Sequence, residues 1–134
     1  MVEARLDGRV RQLLEGKNFV YVASLMKDGS PHVTPTWVDV EDGTILTNTA
    51  MGRVKQKNIA RDNRVALAIA DQNNPYEMVT IRGKVVDQVT GQKAEEHIDR
   101  LAKKYMGKEE YPLRAPGEKR ILLRIKPDKL FHIK

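Results

Sequence analysis

The sequence predicts a mainly β protein with short α-helices, folded as a six-stranded antiparallel barrel. Short apolar runs of strand length recur along the chain, and the turn-forming pairs Asp28-Gly29 and Asp42-Gly43 separate the first three of them. Helical periodicity is confined to two or three short segments. Because an open sheet of short strands would leave exposed edges, a closed or nearly closed barrel is the expected arrangement.

The first half of the chain predicts one helix followed by three strands. Apolar residues at helical spacing indicate an amphipathic helix over residues 3–15, which Gly16 ends. Residues 19–26, 31–40 and 44–49 are then predicted to form the strands of an antiparallel meander. A basic segment follows the third strand.

Residues 65–70 and 76–89 are the fourth and fifth predicted strands, and the fifth contains a residue that interrupts regular pairing. Gly83 lies among alternating apolar residues, which indicates a bulge or a bend at a barrel corner. The second strand contains Pro31 and Pro35, and a central strand rarely tolerates proline. We therefore expect its backbone to be partly unpaired and able to face a ligand.

The C-terminal part of the chain predicts a helix, a loop and the last strand. Apolar residues at helical spacing follow Thr90, which is the expected N-terminal cap. Residues 107–118 contain two glycines and two prolines and predict a loop. The sixth strand is expected over 121–126, before Pro127. We expect residues 1–134 to form one domain.

Composition and charge limit the partners of the chain. The absence of cysteine excludes disulfides and thiolate metal sites, and we expect a cytoplasmic protein with no signal peptide and no membrane span. The net charge of +6 is concentrated in residues 51–64 and 118–134. Such patches favour an anionic partner, although a simply solvated cationic surface explains them equally well. Aromatic residues make up only 5% of the chain, which argues against a surface for single-stranded nucleic acid.

The sequence contains no arrangement for self-contained hydrolytic or metal chemistry. The two serines lie outside a nucleophile-elbow context, the three histidines lack metal-ligand spacing, and no two glycines form a G-x-G motif. We therefore predict no metal site and assign no catalytic side chain. The chemistry would have to come from a bound cofactor.

One segment has the composition of a phosphate-binding site. An apolar strand ends in Thr47, Asn48 and Thr49, and a glycine-initiated basic segment follows at once. Free N–H groups at a helix start, short hydroxyl and amide side chains, and clustered cations are the groups that bind phosphate in proteins. The alternative is a basic helix that is simply exposed to solvent.

Helix geometry divides the cations of this segment into two directions. Residues two apart on a regular helix point about 200° apart, so Lys55 faces away from Arg53 and Lys57. If the helix begins irregularly after Gly52, all three cations can meet one phosphate. If it is regular, Lys55 holds the phosphate, and Arg53 or Lys57 reaches a more distal anionic group such as the charged tail of a larger cofactor.

Four sequence blocks, in order, resemble a known family. The stretch GSPHVTPTWVDVEDGTILTNTAMGRVKQKNIARDNRVALAI, followed by NPYEMVTIRGKV, resembles the pyridoxamine 5'-phosphate oxidase-like split-barrel flavoproteins. The helix segment AEEHIDRLAKKYMG is similar to their branch that depends on coenzyme F420, a deazaflavin. The similarity extends over residues 18–130, which is most of the chain.

The resemblance implies a homodimer of six-stranded split barrels, with a cofactor at each subunit interface and a small organic molecule as substrate. It implies three groups of cofactor-binding residues. Those that would face the ring are Thr34, Pro35, Thr36 and Trp37. Those that would line the ring and the ribityl chain are Thr47, Asn48 and Thr49. Those that would hold the phosphate are Arg53, Lys55, Lys57 and Asn58. For Trp37, a place in the core is the alternative to a wall of the ring pocket.

The expected activity is that of an oxidoreductase whose flavin-type cofactor carries hydride, with F420 favoured over FMN. A second possibility is a flavin- or deazaflavin-binding or storage protein without turnover, because the sequence shows no obvious acid or base. A small nucleic-acid-binding barrel is a third and weaker possibility.

Overall fold

The computed structural model describes residues 5–134. The elements, in order along the chain, are α1 (Gly8–Glu15), β1 (Val20–Leu25), β2 (Pro31–Thr36), β3 (Asp39–Glu41), β4 (Thr44–Ala50), α2 (Val54–Arg61), β5 (Arg64–Asp71), β6 (Asn74–Val89), α3 (Gln92–Met106) and β7 (Arg120–Ile133). The prediction of a mainly β protein with short helices is confirmed. Residues 3 and 4 of the first predicted helix lie outside the described residues. Within residues 5–134, no helix is long and apolar enough to cross a membrane.

The seven strands form one antiparallel sheet in the order β2-β1-β5-β6-β7-β4-β3. The predicted number of six strands is therefore wrong, and so is the predicted meander. Both errors arise because the run 31–40 divides into β2 and β3, which lie at opposite edges of the sheet. The alternation of the sequence hides this break, since the inward-facing positions continue in phase through Thr36, Val38 and Val40.

The sheet is not closed, yet its two edges lie close together. Two residues, Trp37 and Val38, separate the end of β2 from the start of β3. Because consecutive Cα atoms are roughly 3.8 Å apart, Thr36 and Asp39 cannot be more than about 11 Å apart. The sheet therefore curls into a barrel with an open seam, bordered by β2 on one side and by β3 and the end of β4 on the other.

The crossover between β2 and β3 is held by two adjacent residues of α3. Val38 N–H donates to Tyr105 Oη at 3.1 Å, and Val38 O accepts from Lys104 Nζ at 2.6 Å. The same two side chains reach backward along the chain, where Tyr105 O–H donates to Asn18 O at 2.6 Å and Lys104 Nζ donates to Leu14 O at 2.9 Å. The crossover and the end of α1 are therefore both attached to α3 through Lys104 and Tyr105.

Two short helices close the ends of the barrel. α1 contributes Val10, Leu13 and Leu14 to the core, and α2 contributes Ile59. α1 lies where β5 ends, as its ion pair with Asp71 shows, whereas α2 bonds to the last residue of β1. Because β1 and β5 are antiparallel neighbours, these are opposite ends of the barrel.

The outer surface of the barrel is covered unevenly. α3 packs over β4 and β7, where Ala94 meets Leu46 and Leu122 in a small separate cluster. Burial of this apolar stripe explains why an amphipathic sequence forms a helix there. Within the described residues, no helix covers the outer face of β2, β1, β5, β6 and the C-terminal half of β7.

The start of α3 differs from the prediction. Gly91 is the N-cap, and its carbonyl accepts from the N–H groups of Ala94 at 3.0 Å and Glu95 at 3.1 Å. The predicted cap at Thr90 is wrong, and no side chain caps this helix. Gly91 has φ +83°, a conformation that glycine adopts without strain, and this residue separates Thr90 from the helix.

The bulge predicted at Gly83 is confirmed. The pairing of β6 with β7 shifts register between Arg82 and Gly83, which places Gly83 opposite Pro127. A bulge tolerates proline, which has no N–H to donate, so β7 continues to Ile133 instead of ending before Pro127 as predicted. A Cβ atom on Gly83 would lie 2.4 Å from the carbonyl oxygen of Lys126.

Substitution of Gly83→Ala is expected to lower the free energy of unfolding by roughly 2 kcal/mol, because the strands must separate locally to admit the methyl group. Chemical denaturation measures this loss. Gly43→Ala is the matched control, since nothing lies within 4 Å of a Cβ atom at that turn. Equal denaturation midpoints for the two variants would contradict the close approach of Gly83 to the backbone of Lys126.

Candidate cofactor site

The seam exposes backbone that no strand of residues 5–134 covers. β2 is an edge strand that pairs only with β1. β4 pairs with β7 through residue 50, whereas β3 covers only residues 44–46 on its other side. The stretch 47–50 therefore has one free edge. The expectation that the backbone around Pro31 and Pro35 is partly unpaired is confirmed, since both prolines lie on β2.

Three threonine hydroxyls on the strands that border the seam lack partners. Thr34 lies on the inward face of β2, and Thr47 and Thr49 lie on the inward face of β4. Their Oγ1 atoms are buried and have no hydrogen-bond partner among the described residues. A buried hydroxyl left unpaired costs roughly 1–3 kcal/mol, so a ligand or an ordered water is expected to supply the missing bonds. Thr36 shares the inward face with Thr34 and is half-buried.

Asn48 points in the opposite direction from its two threonine neighbours. It lies opposite Leu122, on the outer face of the sheet and beneath α3. Its Nδ2 donates to Ala94 O at 3.0 Å, and its Oδ1 accepts from Arg120 Nε at 2.8 Å. The three residues predicted to line one cofactor wall are therefore divided by the strand between two faces.

Three cations meet at the end of β4. Lys55 is only 7% exposed, and its ammonium has no hydrogen-bond or ion-pair partner within the part of the chain that the structure describes. Burial, and then the charges of Arg53 and Arg120, lower the pKa of Lys55 to about 8. Arg120 lies opposite Ala50 and is itself buried, and burial lowers its pKa as well.

Within residues 5–134, one carboxylate pairs with the side-chain cations of this cluster. Glu118 Oε1 lies 3.4 Å from a terminal nitrogen of both Arg53 and Arg120. The second contact is not aligned as a hydrogen bond, so Arg120 Nη1 remains buried without a partner among residues 5–134. Positive charge therefore exceeds negative charge in a poorly solvated place, and an anion would compensate it.

α2 begins regularly, with Arg53 as its N-cap and no side chain capping its first N–H groups. Lys55 lies on the buried side of the helix, while Arg53 and Lys57 are exposed. The predicted separation of Lys55 from Lys57 is confirmed and corresponds to the regular helix. The predicted separation of Lys55 from Arg53 is wrong, because Arg53 is the N-cap and lies before the first helical turn. Arg53 still reaches the cluster through Glu118, whereas Lys57 points to solvent.

Asn58 is also buried, but its amide is already engaged. Its Nδ2 donates to Ser24 Oγ at 3.0 Å, and its Oδ1 accepts from Arg61 at 2.9 Å. These bonds attach α2 to β1, so Asn58 supports the position of the helix.

A cleft of about 180 Å³ opens beside the cluster. Its lining consists of Phe19, Pro35, Thr36, Trp37, Asn48, Arg53, Ile98, Leu101, Tyr111, Leu113 and Arg120. One side is aromatic and aliphatic and the other carries two guanidinium groups. Such a lining suits a planar molecule with an anionic group.

Trp37 forms part of the cleft wall and is only half-buried. It stacks on Tyr105 with ring centroids 5.2 Å apart, and it meets Tyr111 edge-on at 5.9 Å. Trp37 is not part of the barrel core, and its role as a wall of a ring pocket stays a prediction. A rigid aromatic surface is therefore available beside the seam.

Arg120 and Tyr111 were not predicted as site residues. The guanidinium of Arg120 lies over the ring of Tyr111 at 5.2 Å. Both residues follow α3 in the chain. The pairing of β7 with β4 brings Arg120 to the basic segment, whereas Tyr111 lies in the loop before β7 and its N–H donates to Asp99 Oδ1 on α3 at 2.8 Å. The sole signal in the sequence is the excess of positive charge over residues 118–134.

Comparisons with known proteins agree with this fold. The structure is similar to a protein named F420 reductase, with a TM-score of 0.78 and 22% identity over 98% of both chains. It is also similar to a conserved hypothetical protein from Mycobacterium tuberculosis, with a TM-score of 0.74 and 20% identity over 100% of this chain and 90% of that one. At identities this low, the similarity shows a shared fold.

A provisionally named pyridoxamine 5'-phosphate oxidase from Listeria innocua is a further structural relative, with a TM-score of 0.69 and 17% identity over 92% of this chain and 94% of that one. No curated protein sequence matches the chain. The sequence profile of a family described as Pyridoxamine 5'-phosphate oxidase matches residues 6–134. The chain therefore belongs to the pyridoxamine 5'-phosphate oxidase family of split-barrel proteins.

Proposed function

We propose that the chain is an oxidoreductase that uses a bound flavin-type cofactor, F420 in preference to FMN, to transfer hydride to a small organic acceptor. The observation that carries the proposal is the uncompensated cation cluster of Lys55, Arg53 and Arg120 beside a free strand edge. Family membership and the structural similarity to a protein named F420 reductase support the choice of cofactor class.

The residues present fit such a cofactor. A bound flavin-type cofactor supplies the hydride chemistry, and the protein supplies binding and orientation. Lys55 and Arg53, with the first N–H groups of α2, would hold the phosphate. The free backbone edge at 47–50 would border the ribityl chain, since the hydroxyls of Thr47 and Thr49 point into the barrel, and Thr34 to Trp37 would border the ring. Lys57, which points to solvent, suits the negatively charged tail of F420 better than it suits FMN.

The proposal includes a homodimer. The outer face without a helix presents large apolar side chains to solvent, with Tyr21 52%, Val33 59% and Phe131 64% exposed. A contiguous apolar surface of this kind marks a protein interface. Pro35, on the edge strand of this face, also lines the cleft, so a second copy seated here would reach the site.

Titration of the purified protein with F420 and, separately, with FMN tests the proposal, with cofactor fluorescence as the readout. We expect one of them to bind with a dissociation constant below about 100 μM, which corresponds to a modest binding free energy. Reduced cofactor is then offered with a panel of quinones, nitroaromatics and tetrapyrroles, and oxidation above the background rate is expected. Failure of both cofactors to bind would contradict the proposal.

A second function is favoured by the composition of the cleft. Among the described residues, its lining contains no carboxylic acid and no histidine that could donate a proton. A cofactor-binding or storage protein without turnover would need neither. Tight binding of F420 or FMN together with background oxidation across the whole acceptor panel would support this function over the first.

A further inference from the structure

Asn48 is the centre of a buried hydrogen-bond chain that joins α3 to Arg120. Its Nδ2 lies 3.0 Å from Ala94 O and 3.1 Å from His97 Nδ1. Its Oδ1 lies 2.8 Å from Arg120 Nε. His97 is 1%, Asn48 3% and Arg120 3% exposed, so water does not compete with these bonds.

These contacts allow one arrangement of the amide. Both N–H groups of Asn48 Nδ2 have acceptors, and Oδ1 has a donor. Rotating the amide by 180° would place Oδ1 against Ala94 O and the lone pair of His97, and Nδ2 against the N–H of Arg120. The same chain fixes the tautomer of His97, because Nδ1 must be unprotonated to accept from Asn48.

Imidazole is otherwise an unfavourable side chain at this position. His97 lies on the buried face of α3 together with Ile98 and Leu101, and burial lowers its pKa to about 4. Its Nε2 has no hydrogen-bond partner within the described chain. The charged groups that act on its pKa are Arg100 on α3, Arg120 and Arg124 on β7, and Asp39 on β3. An apolar residue at this position would avoid these costs. The contact of His97 with Asn48 is therefore the reason to have a histidine here.

We infer that His97 is a positioning residue, which acts through Asn48 to hold the guanidinium of Arg120 toward the cation cluster. His97 does not line the cleft that Asn48 and Arg120 share, so it serves the site without touching a ligand. The expected effect of His97 on ligand binding rests on the proposed function. The hydrogen-bond chain itself does not.

The first test needs no ligand. Proton NMR of ¹⁵N-labelled protein reports the Nε–H of Arg120, which is assigned by its loss in Arg120→Lys. We expect His97→Leu to increase the solvent exchange rate of this proton at least about threefold, since one net hydrogen bond corresponds to a factor of roughly 2 to 13. His97→Asn places an oxygen near the position of Nδ1, and exchange should remain within about twofold of the parent protein. Equal exchange in the parent protein, His97→Leu and His97→Asn would overturn the inference.

The second test uses F420 and inorganic phosphate as probes. His97→Leu should weaken binding of both about three- to tenfold, and His97→Asn should restore it. Unchanged binding by His97→Leu, in a parent protein that does bind, would overturn the inference while leaving the proposed function intact. If the parent protein binds neither of these probes and does not bind FMN, the proposed function fails, and the exchange measurement alone decides whether His97 orients Arg120.

Discussion

Replacing Lys55 with methionine is expected to stabilise the free protein and to weaken cofactor binding in the same variant. Lys55 is buried beside Arg53 and Arg120 and has no partner within residues 5–134. Its pKa falls from 10.5 to about 8, a free-energy cost on the order of 3 kcal/mol at neutral pH. Methionine fills a similar volume without charge, so we expect a gain of roughly 1–3 kcal/mol in chemical denaturation.

The pH dependence of stability identifies the source of this gain. Between the folded pKa near 8 and the unfolded value of 10.5, the unfolded chain binds more protons at Lys55, so the free protein becomes more stable as pH rises. Below pH 8, Lys55 is protonated in both the folded and the unfolded state, and the full free-energy cost of burying its charge is present. Lys104 has a similarly lowered pKa and contributes the same trend to both proteins. The advantage of Lys55→Met should therefore shrink as pH rises from 8 toward 10.5.

Cofactor binding should respond with the opposite sign. A bound phosphate compensates the cluster and raises the pKa of Lys55, so the affinity of the parent protein should fall as pH rises through about 8. Lys55→Met should bind at least about tenfold more weakly at neutral pH, since a hydrogen bond to a charged group contributes roughly 1.5–3 kcal/mol. Calorimetric titration across this pH range measures both effects.

Lys57→Met is the matched control, because Lys57 lies on the same helix but points to solvent. Its stability should stay within about 0.5 kcal/mol of the parent protein. A Lys55→Met variant that is less stable and binds equally well would show that the ammonium has a structural partner and no ligand.

Substitution of Ala66→Glu is expected to convert the proposed homodimer to a monomer. Ala66 is exposed on β5, the middle strand of the outer face that no described helix covers. In a two-fold symmetric dimer the change is present twice, and burying each carboxylate costs several kcal/mol, which pairing with Arg82 offsets only in part. In the free chain Arg82 lies directly opposite on β6 and can receive the carboxylate, so folding should be retained. Analytical ultracentrifugation measures the change in mass.

Met106→Glu is the control for added charge, since Met106 is 40% exposed at the end of α3, away from this face. It should remain dimeric. Ala66→Glu should also bind cofactor more weakly if a second copy completes the site. A dimeric Ala66→Glu protein would place the interface elsewhere, and a monomeric parent protein would refute the dimer itself.

The fold was predictable where the signals were local. Turn-forming pairs, strand alternation and Gly83 each report on neighbouring residues, and those predictions are confirmed. The division of residues 31–40 between two sheet edges was not predictable, because β2 and β3 keep one inward-facing pattern across the break. Alternation records which face is buried, and it contains no information about which strand lies alongside.

The candidate site shows the same limit. Helix geometry correctly separated Lys55 from Lys57, because both residues lie on one short helix. Grouping Thr47, Asn48 and Thr49 ignored the alternation of β4, which sends Asn48 to the other face. Arg120 reaches the cluster only through the pairing of β4 with β7, 70 residues after Ala50 in the chain. Long-range pairing of this kind cannot be read from composition or spacing.

The attachment of the crossover to α3 links ligand access to local unfolding. Trp37 stacks on Tyr105, and the hydroxyl of Tyr105 holds Val38 and Asn18. The C-terminal turns of α3 therefore cannot move outward without releasing the crossover and the segment that follows α1. These three parts share one opening equilibrium. A ligand packed against Trp37 shifts that equilibrium toward the closed form. It therefore protects backbone amides from hydrogen exchange well beyond the residues that it contacts.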